Sequence, residues 1–591
     1  MAIQRLDEST MVSTTTVAGD HARLLVGVNS GHEEAPAVDP VVGGEDRLTL
    51  RSQESGNSLK LRGGYYTPNR LAAFLAEWAI QRGDERVLEP SAGDGAVSAA
   101  AAARIGEGGQ VVAVEVDGVE AKKVADQSGQ RTTVINADLF AWYRDARPDG
   151  AFDAVVGNPP FIRYQDFPEA HRVPAFALMR EAGLKPSRLT NAWVPFVVVA
   201  TRSLRPGGRL ALVLPAELLQ VGYAAELRGY LARNYSRITV VTFRQLTFKR
   251  IQQETVLLLG VRHEGAVAEM SFVELGDAAD LAVDQIKSAP PVTVGLDHAR
   301  EKWTQYYLAP GEIGLIREIE GSAAFGRLGD VARVDVGIVT GRNDFFVLTP
   351  READLLGVRP WCVGLVGRSA QIPGLILRPS ERHALEMNDA RCLLLQLGDV
   401  DRSQLPEAGR KYVENGERAG YHEGYKCAVR LPRWWNVPSV WAPSAFLLRQ
   451  IHHAPRIVEN RAGVTSTDTI HRVKIVSDVE SGWLAAASVN SLTFAFSEIR
   501  GRSYGGGVLE LEPTEAEGLP FPRYDPTAPA LPVEKLDSLI RREGVESALP
   551  EVDRLVLKTA GLSDQEIVTL RVIWRKLSDR RRGRNRRLSS H

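Results

Sequence analysis

The chain has 591 residues, of which 44% are hydrophobic and 25% charged, and its net charge is −1. This length predicts two or three domains with sizeable cores, and the composition is that of an ordinary globular protein. The near-neutral charge excludes a uniformly basic chain, so a surface for nucleic acid must be local. The three cysteines include no CxxC pair, which argues against disulfides and zinc and favours the cytoplasm.

The first 58 residues show no sustained hydrophobic period, and we expect them to form a disordered tail. The sequence contains neither a signal-peptide pattern nor an apolar run of the roughly 20 residues that span a membrane. Thr67 and Pro68 then predict the start of a helix, with Thr67 as its cap and Pro68 at its first position. The free N–H groups at this helix start favour a carboxylate ligand.

Acidic residues follow three predicted strands in succession. The first strand ends at Glu89 and leads through Gly93 and Gly95 into an alanine-rich helix, and the next two end near Glu115 and Asp138. Such strand–loop–helix units build a nucleotide-binding α/β sheet, but the loop is neither GxGxxG nor a Walker motif, which argues against a phosphate cradle. Carboxylates in these positions can accept ribose hydroxyls and an adenine amino group.

The fourth predicted strand ends in the loop Asn158-Pro159-Pro160-Phe161. Two prolines fix φ and remove two backbone donors, so the carbonyls here can accept hydrogen bonds from a ligand. The side chain of Asn158 adds an amide carbonyl, and Phe161 adds a flat apolar face. The loop therefore suits a planar ring with an exocyclic amine, although taken alone it is equally compatible with an ordinary turn.

The remaining pattern divides the chain into further regions. Strands predicted over 209–214, 238–243 and 255–259 close the sheet, with an aromatic and basic loop between the last two. We expect a catalytic domain over 59–265, a connector over 266–300, a mixed α+β domain over 301–570 and a basic C-terminal tail over 571–591. Basic and aromatic residues interleave around Arg433, which indicates either a nucleic-acid groove or buried core tryptophans.

In combination these motifs resemble the gamma-type, Taq-like DNA adenine-N6 methyltransferases of type II restriction-modification systems. The resemblance is strong across the first domain and looser at 335–346 and 502–507. It implies an α/β class I S-adenosylmethionine-dependent methyltransferase fold, Rossmann-like with a mixed seven-stranded sheet, followed by a target-recognition domain. It further implies S-adenosyl-L-methionine as the cofactor and no metal.

The resemblance also implies roles for individual residues. Leu139 departs from it, because family members often carry an aromatic residue there, and whether Phe140 compensates is left open. The implied cofactor-binding residues are Thr67, Glu89, Ala92, Gly93, Gly95, Glu115, Asp138 and Leu139. The implied catalytic residues are Asn158, Pro159, Pro160 and Phe161, with Phe161 and Phe248 stacking on the target base. The candidate DNA contacts are Arg342, Asn343, Arg433 and Tyr504.

The expected function is methylation of N6 of a flipped adenine in duplex DNA, by a monomer that protects its host from a separate restriction endonuclease. Three alternatives remain at this point. The same loop occurs in RNA base and protein glutamine methyltransferases, although these usually have small accessory domains. Cytosine-N4 methylation is disfavoured by Asn158, where such enzymes often carry serine. A non-enzymatic DNA-binding protein with a degenerate methylase fold is disfavoured by the intact loop and acids.

Overall fold

The computed structural model describes residues 66–245, 254–263, 268–298, 300–504 and 507–583. The expected N-terminal tail and Phe248 lie outside these residues. An eight-stranded sheet occupies the first half of the chain, in the order β3-β2-β1-β4-β5-β7-β6-β8. Its strands are β1 Arg86–Glu89, β2 Gln110–Glu115, β3 Thr132–Asn136, β4 Phe152–Gly157, β5 Leu204–Pro215, β6 Tyr235–Phe243, β7 Thr255–Arg262 and β8 Glu269–Leu275.

The first five strands of this order are parallel, and β7 runs antiparallel to both β5 and β6. Val155 and Val156 of β4 are fully buried, as expected for a parallel sheet covered on both faces. The helices of this half are α1 Asn69–Ala79, α2 Ala96–Ala102, α3 Gly118–Gln127, α4 Leu139–Ala146, α5 Glu169–Glu181, α6 Trp193–Ser203, α7 Glu217–Gln220 and α8 Ala225–Asn234.

The predicted class I methyltransferase fold is confirmed by this sheet, but the predicted number of strands was seven. The eighth strand, β8, lies in the segment expected to be a connector and pairs in parallel with β6. Its residues Met270 and Leu275 are buried, and Phe272 and Val273 are partly buried. The acidic residues around β8 obscured this short strand in the sequence.

The second half contains four smaller sheets, in the orders β10-β19-β15-β17-β13, β11-β14-β12-β18, β16-β21-β20 and β22-β9. Their strands are β9 Phe325–Arg327, β10 Ala332–Asp335, β11 Val347–Leu348, β12 Cys362–Val366, β13 Ile376–Leu377, β14 Leu393–Leu395, β15 Ala445–Leu448, β16 Gln450–Ile451, β17 Ile457–Asn460, β18 Thr465–Ser466, β19 Ile470–Ile475, β20 Arg502–Ser503, β21 Leu509–Glu510 and β22 Pro520–Pro522. The mixed α+β character predicted for this half is present.

Fourteen α-helices of the described residues follow the first sheet. They are α9 Val283–Lys287, α10 Pro310–Gly321, α11 Leu328–Val331, α12 Asn343–Phe346, α13 Pro350–Leu355, α14 Pro379–Met387, α15 Glu407–Arg418, α16 Tyr425–Ala428, α17 Ser481–Ala487, α18 Ser491–Arg500, α19 Pro513–Glu517, α20 Val533–Glu543, α21 Leu549–Val552 and α22 Asp564–Gly583. In the part of the chain that the structure describes, no helix has the length and apolarity needed to cross a bilayer.

One hydrophobic core joins the two halves, since Leu88 and Leu212 of the large sheet belong to the same buried cluster as Ile499 and Trp574. The C-terminal helix α22 packs on α18, where the rings of Phe494 and Trp574 lie 5.0 Å apart. A shared core of this kind restrains motion of one half relative to the other.

The segment expected to be a basic tail is largely part of α22. Arg580 forms ion pairs with Glu254 and Glu274, and Arg581 pairs with Glu498. Both arginines are therefore held by carboxylates of the chain instead of facing phosphates. Residues 584–591 lie outside the described part.

Candidate active site

The polar residues predicted at the strand ends meet at the carboxyl edge of the large sheet. Strands β1 and β4 are parallel neighbours there, so the loops that follow Glu89 and Gly157 lie side by side. A Cβ at Gly157 would come within 3.2 Å of Pro90 Cδ, so the close approach of these two loops depends on glycine. This edge is where open α/β sheets bind ligands.

Asn158 is held by contacts from both sides of this edge. Its Nδ2 donates to Thr67 Oγ1 at 3.2 Å, and its backbone carbonyl accepts from Ser91 Oγ at 3.3 Å. Because the amide nitrogen faces Thr67, the side-chain carbonyl points away from Thr67. The structure thus joins the catalytic candidate to a cofactor-site candidate.

The expected capping role of Thr67 was wrong. Helix α1 begins at Asn69, its cap position is Pro68, and no side chain caps it. Thr67 is 7% exposed, and its hydroxyl accepts the hydrogen bond from Asn158 instead. The helix start still contributes the N–H groups that follow Pro68 to this edge.

Both oxygens of the Glu115 carboxylate are held by backbone donors. Gly93 N donates to Oε2 at 2.8 Å and Asp117 N donates to Oε1 at 2.9 Å. Each oxygen keeps a further lone pair, so the fixed carboxylate can still accept from a diol. This geometry fits a ribose, whose two hydroxyls are adjacent.

The loop after β1 leaves open space beside Glu115. Gly93 has φ of +53°, and a Cβ there would meet no atom within 4 Å. Gly95 has φ of +84°, and a Cβ there would come within 3.1 Å of Val124. Ala92 N donates to Val114 O at 2.9 Å, which fixes the loop to β2. The left-handed conformations favour glycine at both positions.

Glu89 lies deeper than its neighbours. Its side chain is buried and accepts a hydrogen bond from Ser98 Oγ of α2. Burial raises the pKa of the Glu89 carboxyl well above its ordinary value, and the nearby Asp94 and Glu115 add to the rise. A nearby positive charge would favour its ionised form, so the residue is suited to a cationic ligand.

Asp138 stands at the start of α4 and caps it. Its Oδ1 accepts from Ala141 N at 2.9 Å, and its Oδ2 lies 2.9 Å from His171 Nδ1. His171, on α5, is a site residue that the sequence interpretation missed. It lies in a segment whose hydrophobic pattern did not indicate a site, and it reaches Asp138 only in the folded chain.

The structure shows whether Phe140 can compensate for the absence of an aromatic residue at position 139. Leu139 is 3% exposed and Phe140 is 1% exposed, and both belong to the core. The Phe140 ring lies 5.0 Å from that of Phe196 in an edge-on arrangement. Phe140 therefore packs in the interior and does not replace the missing aromatic ring.

Phe161 is partly buried against the main core, immediately after the two prolines. Its suggested partner on the opposite face of the base, Phe248, lies outside the described residues. Stacking by the pair therefore stays a prediction.

The candidate DNA contacts differ in their surroundings. Arg342 is exposed, with its guanidinium 5.8 Å from the Tyr421 ring centre, whereas Arg433 forms ion pairs with Asp399 and Asp401. Asn343 Oδ1 accepts from Thr340 Oγ1 at 2.6 Å. Arg342 and Asn343 lie at the start of α12.

The tryptophans beside Arg433 belong to the core. Trp434 is 0% exposed and Trp435 is 3% exposed, and Trp434 Nε1 donates to Glu417 Oε1 at 3.0 Å. Their burial favours the core interpretation over a nucleic-acid groove at this segment.

Tyr504 lies next to a direct link between the two halves. Gln220 at the end of α7 donates from Nε2 to Ser503 O at 2.8 Å, and its Oε1 accepts from Ser503 N at 2.9 Å. Tyr504 is 41% exposed, and burial of its phenol raises its pKa to about 12. The predicted DNA contact therefore sits at the rim of the catalytic half as a neutral hydroxyl.

Among the described residues, no group of three or more His, Cys, Asp or Glu side chains is arranged to hold a metal ion. The chemistry of this edge is that of fixed carboxylates, amides and carbonyls. It can bind a polar cofactor and accept hydrogen bonds from an amine.

Comparisons with known proteins match two parts of the chain. Residues 114–248 match the family described as Eco57I restriction-modification methylase, and residues 300–557 match the family described as type II methyltransferase M.Eco57I, C-terminal domain. The first match contains Asp138 and the Asn158 loop, and the second contains all four candidate DNA contacts.

Individual relatives agree with these matches. The type II methyltransferase M.XamI of Xanthomonas campestris pv. amaranthicola is 24% identical over 80% of this chain and 87% of its own length. M.AccI of Acinetobacter calcoaceticus is 20% identical over 76% and 83%, respectively. M.TthHB8I of Thermus thermophilus is 34% identical over 31% of this chain and 41% of its own length. The predicted likeness to type II restriction-modification methyltransferases is confirmed.

Proposed function

We propose that this chain, a methyltransferase of the type II restriction-modification class, transfers a methyl group from S-adenosylmethionine to N6 of an adenine in duplex DNA. The observation that carries the proposal is the hydrogen bond between Asn158 Nδ2 and Thr67 Oγ1. It fixes the amide of the Asn-Pro-Pro-Phe loop at the edge where Glu115 and Asp138 are also held.

The residues present fit S-adenosylmethionine. Glu115 offers two fixed oxygens to the ribose, Asp138 offers a carboxylate to the adenine amine, and the buried Glu89 suits a cation. The open space at Gly93 admits a ligand close to the backbone. Thr67 and the start of α1 would meet the carboxylate of the methionine part. When bound, the cofactor would supply a methyl group on a positively charged sulfur.

The loop of Asn158 would prepare the amine for attack. An adenine amino nitrogen is a weak nucleophile, because its lone pair is delocalised into the ring. Hydrogen bonds from this amine to the Asn158 side-chain carbonyl and the Pro159 backbone carbonyl favour a more tetrahedral nitrogen with a localised lone pair. The same acceptors stabilise the positive charge that develops on nitrogen during transfer, as preorganised dipoles do in other enzymes.

The target adenine would have to leave the duplex, since a stacked base cannot bring its amine to a loop at the sheet edge. Phe161 would stack on the extruded ring, with Phe248 as the proposed opposite wall. The second half of the chain would hold the duplex, with Arg342, Asn343 and Tyr504 as the proposed contacts. The contact predicted for Arg433 is not carried forward, because Arg433 pairs with Asp399 and Asp401. Methylation of this kind would protect host DNA from a separate restriction endonuclease.

A methyl-transfer assay with tritium-labelled S-adenosylmethionine tests the proposal. Duplex DNA, structured RNA and a release-factor-like protein are offered separately, and the modified DNA is digested to nucleosides. We expect label in DNA alone, as N6-methyl-2′-deoxyadenosine. Label in RNA or protein would mean that DNA is not the substrate. Recovery of N4-methyl-2′-deoxycytidine would mean that the target base is cytosine. Asn158→Ala should lower the transfer of label, whereas Val173→Ala, altered at a 60% exposed side chain, should leave it unchanged.

A further inference from the structure

His171 is a side chain that the sequence interpretation missed and that contacts a residue of the candidate cofactor site from a neighbouring helix. Its Nδ1 lies 2.9 Å from Asp138 Oδ2, and the two side chains are 34% and 17% exposed. Partial burial strengthens such a contact, because the surrounding dielectric screens it less than water does.

The Asp138 carboxylate is fixed at both of its oxygens. Ala141 N donates to Oδ1 at 2.9 Å from inside α4, and His171 reaches Oδ2 from α5. The backbone donor holds one oxygen but leaves rotation about the remaining bond, which the second contact removes. Each oxygen retains a lone pair for a ligand.

The backbone that carries His171 is itself braced. Arg172 Nη1 donates to Phe167 O at 3.0 Å and to Tyr164 O at 3.3 Å, and its guanidinium lies 4.5 Å from the Tyr164 ring centre. His171 N donates to Pro168 O in the first turn of α5. The imidazole is thus presented to Asp138 from a fixed helix start.

We propose that His171 is a positioning residue of the cofactor site, which orients the Asp138 carboxylate towards the 6-amino group of the purine and so favours adenosyl over 6-oxopurine ligands. The inference rests on the proposed function, because it assumes that Asp138 binds the purine amine. A carboxylate held in its binding orientation loses less freedom when the amine arrives. A 6-oxo group offers Asp138 no donor at that position and is repelled by its charge.

Calorimetric binding of S-adenosylhomocysteine and S-inosylhomocysteine tests this without any catalytic turnover. We expect the wild-type protein to prefer the adenosyl ligand. His171→Ala should weaken adenosyl binding by about tenfold, with a smaller loss for the inosyl ligand, so that the preference falls. His171→Asn places an amide donor close to the position of Nδ1 and should restore adenosyl affinity to within about threefold.

The controls separate the possible failures. Val173→Ala, two residues further on the same helix, should leave both affinities unchanged. Equal losses for both ligands in His171→Ala, or no loss at all, would overturn the positioning role. If the wild-type protein bound neither ligand, the proposed function itself would fail. If it bound both equally, the contact between Asp138 and the amine would be wrong, and the role of His171 with it.

Discussion

The large sheet and the smaller sheets of the second half use charged residues in opposite ways. At the carboxyl edge of the large sheet, Glu115 is held by backbone N–H groups, which leaves its charge available to a ligand. In the second half, Asp537 is surrounded by Arg378 and Arg541, and Arg433 is paired with two aspartates. The Glu115 carboxylate thus keeps an uncompensated charge that a ligand can use, whereas the charges of Asp537 and Arg433 are compensated within the chain.

The largest effect is expected where a structural charge is buried. Asp537 accepts from Leu375 N at 2.6 Å and Ile376 N at 3.1 Å, besides its two arginines. We expect Asp537→Ala to lower the free energy of unfolding by about 3–5 kcal/mol, because it leaves two buried backbone donors without their acceptor and removes a buried carboxylate from two partly exposed arginines. Chemical denaturation measures this free energy. A loss below about 1 kcal/mol would mean that Asp537 contributes no more than an exposed ion pair does.

Asp537 should also make the stability of the protein sensitive to acid. Burial alone would raise the pKa of Asp537, but hydrogen bonds from Arg541, Arg378 and Leu375 outweigh it and hold the pKa below its ordinary value. A depressed folded-state pKa stabilises the protein fully above the unfolded value of about 3.9, and this stability is lost as the pH falls through the folded value. Wild type should therefore lose more stability than Asp537→Asn between about pH 5 and pH 3. Parallel pH profiles would contradict this.

A large effect without loss of stability is expected at the binding edge. Asn158→Ala removes the acceptor proposed for the adenine amine and should lower kcat by about 10²–10³-fold, as loss of one preorganised group does elsewhere. S-adenosylhomocysteine affinity should change by no more than about threefold, because the proposed contacts of Glu89, Glu115 and Asp138 follow other strands and do not involve Asn158. Single-turnover kinetics and calorimetry measure the two quantities. Equal loss of both would mean that the loop is not the catalytic one.

These two regions also show what the sequence could predict. The strand-end acids and the Asn158 loop could be located, because apolar strands with polar ends are a local pattern. The bond from Asn158 to Thr67 could not, since its partners are 91 positions apart. The contact of His171 with Asp138 likewise depends on how α5 packs. The core position of Phe140 and the ion pairs of Arg433 are properties of the folded chain, which interleaved residue types alone do not distinguish from a DNA groove.

An intermediate effect is expected at Phe161, which joins the binding edge to the core. Phe161→Ala should weaken binding of the extruded base by about 1–3 kcal/mol, as loss of one stacking ring does. The effect should be greater on a normally paired adenine than on a mismatched one, because the mismatched base costs less to extrude. Methylation kinetics on the two duplexes measure it. Unchanged kinetics on normal duplex DNA would exclude the stacking role.

The smallest effects are expected in the second half, where the two arginines predicted from the sequence as DNA contacts have different surroundings. Arg342 is exposed and forms no ion pair with any residue that the structure describes, whereas Arg433 lies 2.9 Å from Asp399 and 3.0 Å from Asp401. Phosphate contact by Arg342 would release about one counterion, so Arg342→Ala should reduce the salt dependence of duplex binding by about one unit of slope. Arg433→Ala should leave that slope unchanged, since its charge is already neutralised by the two aspartates. Fluorescence anisotropy over a salt series gives both slopes. If Arg433→Ala lowered the slope and Arg342→Ala did not, Arg433 would leave its aspartates to contact DNA. Pairing within the chain would then not identify structural charges in this half.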